Sequence, residues 1–330
     1  MKLIDMKFDT IIGLLQQKKE QGDASLYHNS MHLDIQKMQK GEYLLQNFAV
    51  FTHLRKHNPL LHVQESIDLY YQELENNKEY IRPVYKYNDI LENQKNGHMS
   101  AMLTLEEGAV IQDNLAMLRN YYRLGVRMIT LTWNFKTSIA APNFESHPDM
   151  TFKDLYTVNE TDGLTEFGIE YVKEMEHLGI IIDVSHLSDA GFYDVLKHTT
   201  KPFVASHSNA REVCGVARNL TDDMIVALSK RGGVMGINYC GDFLLETEEG
   251  NAPSNIEDIV KHIQHIVSIG GIDCIGLGSD FDGIDSKLEL QDASYLPQLE
   301  KALQKAGFTN EDIEKIFYKN VLRVYKEILI

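Results

Sequence analysis

Residues 179-GIIIDVSHLSDAGFYDVLKHTTKPFVASHSNA-210 decide the fold. The stretch opens on an apolar run, Ile180 to Val184, which ends in Ser185 and His186. An amphipathic segment, Asp189 to His198, follows. A second short run, Pro202 to Ala205, then ends in Ser206 and His207. Runs that are apolar without alternation are the mark of strands buried on both faces. A helical segment between two of them makes a strand–helix–strand unit with parallel strands. Each strand of this unit delivers a histidine at its carboxyl end.

The same alternation extends in both directions. Further strand candidates are Leu3 to Met6, Gln46 to Phe51, Ala101 to Leu105, Arg127 to Thr132, Gly233 to Tyr239 and Cys274 to Gly278. Helical spacing marks Leu60 to Asn76, Asp113 to Leu124, Thr165 to His177, Thr221 to Lys230 and Ile256 to Ile269, and Asn310 to Ile330 reads as a closing helix. Eight β/α units in 330 residues predict an α/β protein, a (β/α)8 TIM-type barrel forming a single domain over 1–330. A doubly wound open sheet is the alternative, but no GxGxxG or phosphate-binding loop follows the first strand.

Composition narrows the function. The net charge of −16 disfavours nucleic acid and anionic membranes as partners, since both need a basic surface. Three scattered cysteines make no disulfide framework and suit a reducing compartment. Asp5 and Asp9 interrupt the apolar N-terminus, and no apolar run is long enough to span a bilayer. The expectation is a cytoplasmic protein.

A barrel carries its chemistry at the carboxyl ends of its strands. Those ends hold Lys7 and Asp9, Glu106, Trp133 and Asn134, His186, His207, and Asp280. Imidazole and carboxylate side chains on one rim predict a divalent metal site of the zinc type. The other histidines (28, 32, 53, 57, 62, 98, 147, 177, 198, 262 and 265) fall mostly on polar stretches, where surface placement is the default.

The sequence resembles the membrane dipeptidase (renal dipeptidase) family of zinc peptidases, a branch of the amidohydrolase-like barrels. GLTEFGIEYVKEMEHLGIIIDVSHLSDAGFYDVL and KPFVASHSNAREVCGVARNLTDD carry the resemblance, with GGVMGINY, IGLGSDFDG and IEKIFYKNVLRVYKE in order behind them. The resemblance implies hydrolysis of dipeptides, including those ending in a D-residue, and a homodimer by analogy. It also implies a binuclear zinc site in which Asp9, Glu106, His186 and His207 are ligands and Glu106, rather than the adjacent Glu107, is the bridge. Arg218 falls where the family binds the substrate carboxylate. Trp133 falls where many members place a substrate-contacting histidine, and Asp280, rather than Asp282, where they place the acidic residue of the last strand that moves the proton.

One departure bears on all of this. The family's first-strand motif D-x-H-x-D reads Asp5-Met6-Lys7-Phe8-Asp9 here, with Lys7 in place of the histidine. An ammonium has no lone pair and repels a nearby cation. Lys7 and Asp9 share a face of the strand. The expectation is therefore an altered first metal site. Lys7 would pair with Asp9 and the outer oxygen of Glu106, and one zinc ion would bind per chain rather than two. A barrel that binds a small ligand or metal without peptidase activity is the alternative.

Overall fold

The computed structural model describes every residue except Ala24 and His57, so the expectation for His57 lies outside the described residues. Nine strands are present among the described residues: β1 (Leu3–Phe8), β2 (Tyr43–Phe51), β3 (Ile81–Pro83), β4 (Met99–Glu106), β5 (Val126–Thr130), β6 (Ile181–Asp183), β7 (Val204–Ala205), β8 (Val234–Ile237) and β9 (Ile275–Leu277). Every pairing between them is parallel. β1 pairs with both β2 and β9, and β2 pairs with β4 from Leu45↔Ser100 to Phe51↔Glu106. This closes β1, β2 and β4 to β9 into an eight-stranded barrel. The fold is the expected (β/α)8 barrel.

β3 is the addition that the sequence pattern does not announce. It pairs with the start of β4 (Ile81↔Met99), beside the segment that β5 then takes over from Leu103↔Val126. Three residues ending in a proline carry too little periodicity to read as a strand.

Local signals place the helices that hold the barrel strands. Thr165, Ser188 and Thr221 each accept a hydrogen bond from a first-turn backbone N–H, at Gly168, Gly191 and Met224. Gly179, at φ 78°, ends the helix Glu166–Leu178 in the left-handed region and turns the chain into β6.

The core has two layers. The larger lies between barrel and helices. The smaller fills the barrel floor, where Ile4, Met6, Met102, Met128, Ile181 and Val234 pack on Val321, Val324, Tyr325 and Ile328. Those last four belong to the terminal helix Asn320–Ile328, which plugs the barrel from below. Its Tyr325 hydroxyl meets the Asn47 side chain on β2 at 2.7 Å.

A bulge in β1 sets up the site above that floor. The register runs from Asp5↔Gln46 to Phe8↔Phe48, so three steps on β1 face two on β2. Ile4 and Met6 belong to the barrel floor, whereas Phe8 packs in the outer layer against Tyr43 and Phe281. Strict alternation would have put Phe8 inside with Met6. The extra residue reverses the alternation and turns Lys7 and Asp9 inward at the rim.

Candidate metal centre and active site

Glu106, His186 and His207 converge at the carboxyl ends of β4, β6 and β7. Their ligand-type atoms lie within 4.8 Å of one another. Glu106 Oε1 is 2.9 Å from His186 Nε2 and 3.5 Å from His207 Nε2, and the two Nε2 atoms are 3.0 Å apart. All three side chains are nearly inaccessible to solvent.

The partners of the far ring nitrogens identify the tautomers. His186 Nδ1 faces Asn134 Oδ1 at 2.9 Å, and an amide oxygen only accepts, so Nδ1 carries the proton. Ser206 Oγ donates to Asp183 Oδ2 at 2.5 Å and so accepts from His207 Nδ1 at 2.6 Å. Asp183 itself is fixed by Thr130 Oγ1 at 2.6 Å and by the backbone N–H groups of Ser185 and Ser206. Both Nε2 atoms therefore present bare lone pairs to each other and to a carboxylate oxygen. Burial, with the Arg218 guanidinium, pulls the His186 imidazole down to about 3, so it is neutral at ordinary pH. Three acceptors facing inward without a hydrogen between them fit a divalent cation of the zinc type.

His186 adopts φ 70°, and Asp280 adopts φ 63°. Non-glycine residues in the left-handed region cost about 1 kcal/mol or more each and concentrate at functional sites.

Lys7 occupies the other half of the rim. Its Nζ lies 3.0 Å from Glu106 Oε2 and 3.0 Å from Asp280 Oδ1, and it also pairs with Asp9 Oδ2. The residue is 1% exposed. Burial disfavours its charge, but the carboxylates of Asp280, Asp9 and Glu106 outweigh burial and hold the ammonium well above its usual range. Burial also raises Glu106 and Asp280. The Lys7 ammonium reverses that effect and keeps both carboxyls below the usual range. Asp9 goes the other way. Burial, with repulsion from Glu106 and Asp280, exceeds the pull of Lys7 and lifts its carboxyl to about 8. One ammonium thus balances two carboxylates, and the third takes up a proton.

Neighbours hold this cluster in place. The Asp5 carboxylate accepts from the backbone N–H groups of Lys7 at 3.0 Å and Ser279 at 3.1 Å, tying β1 to the segment after β9. Asn238 Nδ2 donates to Asp280 Oδ2 at 3.0 Å. A Cβ at Gly283 would fall 2.2 Å from Asp9 Oδ2 and 2.8 Å from Asp280 Oδ1, so only glycine allows this approach.

Trp133 lines a cavity of about 1040 Å³ together with Asp9, Glu106, His186 and Asp280. Its ring packs on Phe51 at 5.0 Å and lies 6.3 Å from His186. Glu107 turns away from the histidines and accepts from the N–H groups of Ala109 at 3.0 Å and Trp133 at 3.2 Å. Arg218 is 4% exposed and touches none of the rim carboxylates. Its Nη1 donates to Ser208 Oγ at 2.7 Å, while Nε and Nη2 are buried without a partner. Asp9 does not join the histidine group, because its Oδ2 is taken by Lys7.

Sequence reading names Asn134 as a strand end but assigns it no task, and it assigns none to Ser206 or Asn238. It also errs on one histidine. His262 is fully buried in its helix, against the surface default. Its Nδ1 accepts from the Ala210 N–H at 3.1 Å, and its Nε2 donates to the Leu244 carbonyl at 3.0 Å. The helical period, not local polarity, places it on the inner face.

Burial lowers the His262 imidazole to about 4. A group depressed in the folded state takes up its proton more readily when unfolded. Its contribution is whole above pH 6.5 and is lost as pH falls towards 4. The expected loss is about 3 kcal/mol at most. Urea unfolding of wild type and His262→Gln between pH 7 and 4.5 checks this, with a shallower slope expected in the variant.

A parallel barrel whose rim joins two bare imidazole nitrogens to a carboxylate, above a large cavity, is the framework of a metal-dependent hydrolase. Comparison with known proteins makes this specific. Residues 1–329 match the membrane dipeptidase family, peptidase family M19, and the chain belongs to it. It is a hydrolase of the metallo-dipeptidase class. An uncharacterized dipeptidase of Schizosaccharomyces pombe is 34% identical over 314 residues, covering 90% of this chain and 72% of that protein. A metallopeptidase from Rhodobacter sphaeroides, solved with a phosphinate mimic of the dipeptide L-Ala-D-Ala, superposes with a TM-score of 0.86 at 24% identity, covering 99% of each chain. The probable dipeptidase PvdM from Pseudomonas aeruginosa gives 0.87 at 19% identity, covering 100% of this chain and 96% of that one. Among the described residues, no helix is long and apolar enough to cross a membrane.

Proposed function

We propose that the protein is a zinc-dependent dipeptidase that works with a single ion, held by Glu106, His186 and His207, while the Lys7 ammonium takes the place of a second cation. The observation that carries this reading is the position of Lys7 Nζ, 3.0 Å from both Glu106 Oε2 and Asp280 Oδ1. When bound, the ion supplies a Lewis acid that polarises the scissile carbonyl and acidifies the attacking water.

The remaining work falls to the chain's own residues. Asp280 is ionised, accepts a proton from the water as the new C–O bond forms, and passes it to the leaving nitrogen as the C–N bond breaks. Lys7 keeps Asp280 charged without a second metal beside it and balances the outer oxygen of Glu106. The unpartnered Nε and Nη2 of Arg218 grip the substrate's terminal carboxylate, where a planar fork binds best. Trp133 walls the cavity beside the reacting carbonyl. Substrates include dipeptides with a D-residue at the carboxyl end, in keeping with the ligand of the Rhodobacter sphaeroides neighbour. The same reading makes the protein a cytoplasmic homodimer with neither nucleic acid nor membrane as partner.

Elemental analysis of protein purified without chelator tests the ion count, alongside release of amino acids from Ala-Ala and Ala-Ala-Ala. One zinc per chain is expected, with cleavage of the dipeptide only. Two tightly held ions per chain overturn the role given to Lys7. One ion without hydrolysis favours a binding protein instead.

A further inference from the structure

A second pocket adjoins the active-site cavity, and nothing in the mechanism above uses it. It has a volume of about 530 Å³ and lies between the helices Thr10–Gln21 and Pro59–Asn76. Ile12, Gln16, Phe51 and Lys56 line both spaces, so the two adjoin across these side chains. Beyond that junction the walls include Leu15 and Leu61. Lys19 and Glu65 lie on opposite helices and form a salt bridge of 2.5 Å at the rim.

Phe51 is the hinge between pocket and chemistry. It is the last residue of β2 and pairs in register with Glu106 on β4. Its ring meets Trp133 at 5.0 Å, and Trp133 lies 6.3 Å from His186. An aromatic wall therefore runs from the metal ligands into the pocket.

The barrel's geometry decides which part of a substrate enters. Arg218 follows β7 and is bonded to Ser208 beyond that strand. Around the barrel, β7 stands four strands from β2 in either direction, so the two are diametrically opposite. A dipeptide whose carboxylate is held on the β7 side points its amino-terminal residue towards β1 and β2. The pocket lies behind those two strands.

We infer that this pocket binds the side chain of the substrate's amino-terminal residue and selects large apolar side chains, aromatic or branched aliphatic. This inference rests on the dipeptidase reading and on Arg218 as the carboxylate site. The walls at Ile12, Leu15, Phe51 and Leu61 gain by excluding water from such a group. A substrate with an alanine side chain leaves the space unfilled. Filling or missing a few methylenes changes kcat/KM by about 10- to 200-fold for each such step.

The test compares Phe-Ala, Ala-Phe and Ala-Ala as substrates of the zinc-loaded enzyme and of two variants. Leu61 is 54% exposed at the pocket wall, so Leu61→Trp and Leu61→Asp can be made without disturbing the core. Wild type is expected to prefer Phe-Ala over both other substrates by about tenfold or more. Both variants should lower the Phe-Ala to Ala-Ala ratio of kcat/KM by about tenfold. Turnover of Ala-Ala with an unchanged ratio overturns the pocket assignment and leaves the dipeptidase reading standing. A shift confined to Ala-Phe also overturns it, since the pocket would then serve the other residue. Failure of wild type to cleave any of the three removes the dipeptidase reading and this inference with it.

Discussion

Lys7→His is expected to raise bound zinc from the single ion proposed per chain to two and to increase dipeptide turnover. The ammonium that contacts Asp9, Glu106 and Asp280 is replaced by an imidazole with a lone pair for a metal. Asp9 and the outer oxygen of Glu106 are already in place as further donors. A cation that was fixed and inert as a Lewis acid becomes one that polarises a carbonyl. Preorganised electrostatic groups of this kind are worth on the order of 10²-fold in kcat. Elemental analysis and steady-state kinetics on Ala-Ala read both effects. Unchanged stoichiometry together with an unchanged rate would show that Lys7 does not stand in for a metal.

The second large effect concerns the opposite half of the rim. His186→Ala and His207→Ala each remove one of the two bare nitrogens that face each other at 3.0 Å. Two protein ligands hold zinc poorly where three are the rule for catalytic sites. Metal content should fall below about a tenth of an ion per chain, and turnover by about 10³-fold or more. A thermal shift separates lost metal from lost fold. Added zinc stabilises wild type by mass action, by about 2.7 kcal/mol at a hundred times Kd, and should leave both variants unmoved. A variant that keeps its zinc and its thermal shift would exclude that histidine as a ligand.

Much of this arrangement is legible in the sequence, for a physical reason. Strands buried on both faces write themselves as nearly unbroken apolar runs, so the polar residues that follow each run mark the rim. Glu106, His186, His207 and Asp280 all appear that way. What is not legible depends on contacts between distant segments. The β1 bulge leaves no trace in LIDMKF, yet it turns Lys7 and Asp9 inward. Asn134 and Ser206 read as strand ends without a task until the folded chain places them against Nδ1 of His186 and His207. His262 is polar in a helix with polar neighbours, and only its position on the buried face shows that it braces Ala210. The helix Thr10–Gln21 escapes notice because its apolar start fades into QQKKEQ.

Closure of the barrel through β1 and β9 has a consequence for biosynthesis. Asp5 and Leu277 are register partners, so the first strand made waits for nearly the last before its open edge is covered. At about 5–20 residues per second, that wait lasts tens of seconds on the ribosome. During it, Lys7 and Asp9 exist without Asp280, and the floor lies open until the helix Asn320–Ile328 emerges. No nascent fragment that stops short of Asp280 can assemble the Lys7 cluster. The growing chain therefore carries an unpaired strand edge until β9 is made.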